Sequence, residues 1–103
     1  MEMIRWDEER DGPLSEAAMR AKLEEWGYVV SRYVYPPGTV FPPHTHAVDK
    51  IDAVLSGRFR LTLPEGSVVL EAGEMVRIPR GVVHSAEVVG DEPVVSLDAV
   101  RRR

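Results

Sequence analysis

Cysteine, asparagine and glutamine are all absent from this 103-residue chain. Without cysteine it forms no disulfide, offers no thiolate to a metal ion and carries no thiol nucleophile. Lysine is scarce as well: Lys22 and Lys50 are the only two, and arginine supplies the rest of the 13 basic residues. No apolar run approaches the roughly 20 residues that cross a bilayer. The segment Met1 to Asp7 also lacks the apolar stretch of a secretory signal, so a cytoplasmic protein is expected, with no membrane partner. A net charge of −4 argues against nucleic acid as a partner. The terminal run Arg101-Arg102-Arg103 is the exception, and it reads as a solvated chain end.

What remains is enough for one domain with one core, too small for a separate catalytic lobe. Residues 1–13 are acidic and read as irregular, ending in the turn signal Asp11-Gly12-Pro13. One helix follows. Ser15 suits its N-cap, Leu14 and Met19 suit a hydrophobic staple, and Gly27 can end it. Met19, Leu23 and Trp26 share a face at i, i+4 and i+7, the stripe of a helix docked on a barrel or on a second copy.

From Tyr28 onward the period changes to that of short strands. They are expected over Tyr28–Tyr35, Ile51–Leu55, Arg58–Leu63, Ser67–Leu70, Glu74–Ile78, Val83–Val89 and Val94–Ala99, with Gly- and Pro-bearing breaks between them. In Arg58-Phe59-Arg60-Leu61-Thr62-Leu63 the alternation is strict, which sends Phe59, Leu61 and Leu63 inward. This spacing predicts an all-β sandwich or barrel, of which the jelly roll is the commonest two-sheet form.

The chemistry is concentrated in three histidines. His44 and His46 form a His-x-His pair, and residues i and i+2 of an extended strand point to one face, so two imidazoles can aim at one point. His84 can close the set. Around them stand Gly38, His44, His46, Lys50 and Gly57, then Gly73, Pro79, Gly81, His84 and Val88. These residues resemble the two motifs of the cupins, G-x5-H-x-H-x3-E-x6-G and G-x5-P-x-G-x2-H-x3-N. Lys50 replaces the glutamate and Val88 the asparagine. The 15 residues between Gly57 and Gly73 suit the short inter-motif segment of compact members. The resemblance implies a cupin jelly-roll β-barrel with one short N-terminal helix, residues 1–27 forming the acidic segment and helix and residues 28–103 the barrel. It also implies pairing of barrels through outer strands, and so a homodimer built on Tyr28–Tyr35 and the preceding helix.

Three neutral imidazoles suit one divalent transition-metal ion per chain, whether Zn, Fe, Mn, Ni or Cu, with open positions left for water or a small-molecule ligand. Lys50 cannot ligate a metal, and its charge repels one. It must turn away, lose its proton or find a carboxylate. Asp52, at i+2 on the same strand face, could neutralise Lys50 or reach the metal itself, so Lys50 and Asp52 are the candidate acid and base. Asp49 reads as a loop carboxylate. Three functions follow: a metal-dependent oxygenase or isomerase acting on a small molecule; a non-catalytic cupin that binds or senses a small ligand; and a metal-free dimeric interaction module.

Overall fold

Alternation of burial builds the barrel, strand by strand, across residues 1–101, which are the residues described by this computed structural model. The other two arginines of the terminal run, Arg102 and Arg103, lie outside them. The elements in order are β1 (Glu2–Arg5), α1 (Glu8–Asp11), α2 (Glu16–Glu25), β2 (Val29–Tyr35), β3 (Val40–His44), β4 (Lys50–Ser56), β5 (Arg58–Leu63), β6 (Gly66–Leu70), β7 (Glu74–Ile78), β8 (His84–Val89) and β9 (Val94–Val100). The strands pair antiparallel into a five-stranded sheet, β1-β7-β4-β9-β2, and a four-stranded sheet, β3-β8-β5-β6. The two sheets form a jelly roll. In β5, Phe59, Leu61 and Leu63 are buried as the alternation predicts, and they join Val54, Leu70, Val76, Ile78, Val88 and Val94 in the core between the sheets.

The larger sheet has a second apolar face, which α2 covers. Ser15 caps α2 by accepting from the Ala18 amide at 3.0 Å. Met19 and Leu23 are fully buried against Ile51, Ala53, Met75, Leu97 and Ala99. Each such side chain contributes about 1.5–3 kcal/mol when fully buried. Trp26 packs at the edge of this cluster, and Gly27, at φ 93°, takes the left-handed conformation that ends the helix. Lys22 lies between the rings of Trp6 and Trp26, 5.2 and 5.4 Å from their centroids, with its Nζ 2.7 Å from Asp11. An ammonium between two indoles ties α1 to α2.

Three local features differ from expectation. Residues 1–13 are not irregular: β1 joins the edge of the larger sheet against β7, and Asp7 caps the single turn of α1. Only Met3 and Ile4 of β1 are part-buried, and its outer face is held by Arg77 Nε to Glu2 at 3.0 Å and Arg5 Nε to Glu74 at 3.1 Å. Those partners are some 70 residues away, so no local pattern marks the strand. The N-terminal segment therefore holds two helices, α1 and α2. The third difference is β3, a separate strand despite Pro42 and Pro43. It occupies the edge of the smaller sheet, where a residue without an N–H is tolerated.

β4 is buried on both faces and divides the two cores. Lys50, Asp52 and Val54 turn towards the barrel interior, while Ile51 and Ala53 turn towards α2. The tight turn after it uses Gly57, at φ 84°, where a Cβ would stand 2.3 Å from the carbonyl oxygen of Pro93.

Candidate metal centre

The three histidines converge from two strands and a loop. His44 is the last residue of β3 and pairs directly with His84, the first residue of β8, after a register shift between Phe41 and His44. His46 lies just beyond β3, in the turn towards β4, and its carbonyl accepts from the Gly81 amide at 2.9 Å. That bond ties the first histidine loop to the Pro79-Arg80-Gly81 turn before His84. The ring centroids are 4.8 Å apart for His44 and His46, 4.3 Å for His44 and His84, and 5.1 Å for His46 and His84. One ligand atom from each lies within 4.8 Å of the others.

The ring orientations are fixed by the backbone. His44 Nδ1 is 2.7 Å from the carbonyl oxygen of Pro42, and His84 Nδ1 is 3.0 Å from that of Val82. A carbonyl only accepts, so each Nδ1 carries a proton and Nε2 is the nitrogen left to ligate. The Nε2 atoms of His46 and His84 are buried with no hydrogen-bond partner. A buried unpaired nitrogen costs about 1–3 kcal/mol, and a shared cation would satisfy both. The donor set therefore fits a divalent metal ion with nitrogen ligands and open positions. Burial, with Lys50 and the neighbouring rings, pulls His46 below the usual histidine range. Burial does the same at His84, against the opposing hydrogen bond from Val82. Both shifts favour the neutral, ligating form.

Opposite the rings stands an ion-paired unit. Lys50 and Asp52, each 7% exposed, are 3.1 Å apart between Nζ and Oδ1. The same Nζ is 2.8 Å from Asp98 Oδ1 on β9, and Asp98 is the cross-strand partner of Asp52. Burial alone would lower the Lys50 ammonium, but the attraction of Asp52 and Asp98 outweighs it and the net shift is upward. Burial raises Asp52 to about 6, with Lys50 opposing and Asp98 adding to the rise. Histidines and ion-paired unit face one cavity of about 160 Å³, whose apolar wall is Tyr35, Phe41, Phe59 and Ala86. Burial also pushes the Tyr35 hydroxyl up, helped by Asp98 and Asp52, so this phenol stays neutral.

The geometry thus brings His44, His46, His84, Lys50 and Asp52 to one cavity. The ligand atoms within 4.8 Å of one another are those of the histidines, and the Asp52 carboxylate is engaged by Lys50. Asp49 is elsewhere, its Oδ1 accepting from the Arg80 amide at 2.8 Å in an exposed loop. Asp98, Tyr35 and Phe41 carry no sequence signal for the site, and the alternation that turns Phe59 inward does not place it beside the histidines. Parity along β9 could have placed Asp98 with Ser96 and Val94 on the inward face, but only the β4–β9 register sets it beside Lys50. A larger cavity of about 520 Å³ at the barrel end also touches Lys50, through Tyr28, Asp49, Arg77 and Arg101 among others, and contains none of the histidines.

Comparison with known proteins agrees with this geometry. The family profile described as a cupin domain matches residues 31–100. Germin-like protein 9-3 of Oryza sativa subsp. japonica is 36% identical over 72 residues, covering 64% of this chain and 34% of that protein. The chain therefore spans about a third of the length of the curated relatives it matches. Among solved structures, a cupin protein from Bacteroides fragilis superposes with a TM-score of 0.64 at 27% identity, covering 74% of this chain and 66% of the other. The DMSP lyase DddQ from Ruegeria pomeroyi shares the fold, with a TM-score of 0.67 at 23% identity over 74% of this chain and 39% of that one. Among the described residues, no helix is long and apolar enough to cross a membrane.

Proposed function

The chain belongs to the cupin domain family, and from that premise we propose that it is a small metal-binding cupin in which His44, His46 and His84 hold one divalent transition-metal ion beside a small-molecule site. The observation that carries this reading is the pair of buried, unpartnered Nε2 atoms on His46 and His84. Backbone carbonyls hold the Nδ1 sides of His44 and His84, which leaves Nε2 of each as the free ring nitrogen.

The reaction class we propose is a metal-dependent oxygenase or isomerase step on a small molecule. A bound metal would supply Lewis-acid or redox chemistry. The chain supplies the rest. The cavity of about 160 Å³ lies below the roughly 300–1,000 Å³ of pockets for drug-sized ligands, so its ligand is small. Phe41, Phe59 and Tyr35 exclude water from one side of it. On the opposite wall the Lys50 ammonium, shifted upward, keeps its proton, while its partner Asp52, at about 6, can exchange a proton near neutral pH. The pairing of a titratable couple with a metal site favours an enzyme over a passive ligand carrier.

Metal analysis of protein purified without an affinity tag tests the first half of the proposal, with one equivalent of a transition metal expected after loading. Protein that takes up none in an equilibrium titration would sink it. Turnover of a panel of small carboxylates, hydroxyketones and phenols by the loaded protein, compared with Lys50→Met and Asp52→Asn, tests the second. Metal binding without any turnover that depends on Lys50 or Asp52 would leave the ligand-binding reading in its place.

A further inference from the structure

Two carboxylates directly opposite each other inside a barrel are an unfavourable arrangement, since like charges at cross-strand positions repel. Asp52 and Asp98 have this relationship, and they share the single ammonium of Lys50. With all three ionised the unit sums to −1 (one positive, two negative). Lys50 and Asp52 are buried while the Asp98 side chain is 26% exposed, so water offsets part of the excess charge and a cation in the cavity would offset the rest. Within this cavity the histidine nitrogens are the remaining place where a cation can sit.

We propose that Asp98 is the counter-charge of the metal centre: a positioning residue that holds the Lys50 ammonium against β9 and leaves the cavity wall with a net negative charge facing the cation. The proposal rests on the metal reading of His44, His46 and His84. Without Asp98, a dication would face one ammonium and one carboxylate, and the wall would be neutral. Lys50 would also lose its 2.8 Å partner and be free to swing towards the histidines. Asp98 thus does two jobs, restraining one positive charge and attracting another. The near-isosteric change Asp98→Asn removes the charge and keeps the shape.

The test is a competition titration with zinc or nickel and a chromophoric chelator, run on the full chain as wild type, Asp98→Asn, Lys50→Met and the double variant. Apo melting temperatures are measured in parallel. We expect Asp98→Asn to weaken metal binding by about tenfold or more, the scale of groups that act on a metal through its surroundings. In the Lys50→Met background the loss should shrink, because there is no ammonium left to restrain. The apo Asp98→Asn protein should melt no lower than wild type, since the Asp52–Asp98 repulsion is relieved, whereas a merely structural residue would lower it. Unchanged metal affinity, or an equal loss in both backgrounds, would overturn the proposal while leaving the metal site intact. A wild type that takes up no metal would remove the proposal together with the reading beneath it. Should Asp98→Asn fail to fold, the role is structural and the proposal is wrong; Asp98→Glu, which keeps the charge but lengthens the side chain, should then fail to fold as well.

Discussion

His44 and His84 are direct partners in the β3–β8 ladder, one at the end of its strand and one at the beginning. Forty residues of sequence separation become a 4.3 Å separation of ring centroids because the register shifts between Phe41 and His44. A site built this way is rigid on two of its corners and depends on a loop for the third, His46.

That asymmetry gives the first prediction. Replacing His44, His46 or His84 by Ala removes one of three ligands and should cut metal occupancy sharply in each case, measured by plasma spectrometry after dialysis. At free metal 100-fold above Kd, ligand binding adds about 2.7 kcal/mol to the folded state. The wild type should therefore melt several degrees higher with metal than without, and the three variants should not respond. Equal metal content in all three variants and the wild type would refute the site.

Changing Lys50 to Glu should produce opposite effects in the two states. The apo protein would carry three carboxylates in one cavity with no ammonium among them, and breaking a buried ion pair from one side costs about 3–5 kcal/mol. With metal present the added anionic oxygen should tighten binding by about tenfold or more. Asp52→Ala should weaken it, because Lys50 loses a restraining partner. Chemical denaturation of the apo forms and competition titration of the loaded forms check both signs. A Lys50→Glu protein with unaltered metal affinity would place residue 50 outside the influence of the centre.

The turn between β4 and β5 should be intolerant of any side chain. In Gly57→Ala the new Cβ meets the Pro93 oxygen at 2.3 Å, and the backbone is fixed at φ 84°. Overpacking of this kind costs about 1–3 kcal/mol, and the positive φ adds about 1 kcal/mol or more. Urea unfolding should show the midpoint falling with an unchanged slope. Gly38→Ala, with nothing within 4 Å of its Cβ, is the control and should lose only the conformational share.

Much of this was legible before the structure. Gly57, Gly73 and Gly81 stand at positive φ where the motifs require turns, and the three histidines meet as their spacing demands. Strand parity placed Lys50 and Asp52 on one face, and they are ion-paired. Asp98 was not legible, because an acidic residue near the chain end reads as a solvated one until the β4–β9 register puts it opposite Asp52. β1 was hidden for a similar reason. It is placed by its ladder with β7, a strand some 70 residues later, and its own four residues offer two part-buried side chains. β3 was obscured by its prolines, which only an edge position permits.

We propose that the chain dimerises through β2 with α2 alongside. β2 is the edge of the larger sheet, so one side of its ladder is unpaired, and Val29, Tyr33 and Val34 are about half exposed along it. Light scattering at micromolar concentration should give twice the mass of the 11.5 kDa chain, and Val34→Lys should shift it towards the single chain. A monomeric wild type would sink the proposal.

The apo protein should show opposing pH effects between 7 and 5, because the cavity holds groups shifted in opposite senses. His46 and His84 are depressed below the unfolded value near 6.5, so below that pH the unfolded chain binds more protons and stability is lost as pH falls. Asp52 is raised to about 6 from an unfolded value of about 3.9. Between those two values the folded state binds the extra proton, so this group adds stability as pH falls and withdraws it as pH rises. Asp52→Asn removes the compensating term and should steepen the acid loss, whereas His46→Phe should make it shallower. Metal sharpens the contrast, since the ligating nitrogens must be unprotonated and acid releases the ion. Melting curves of the apo and loaded forms at half-unit pH steps read all of this. If the apo wild type and Asp52→Asn lose stability in parallel, Asp52 does not titrate in this range and has no part as an acid or base near neutral pH.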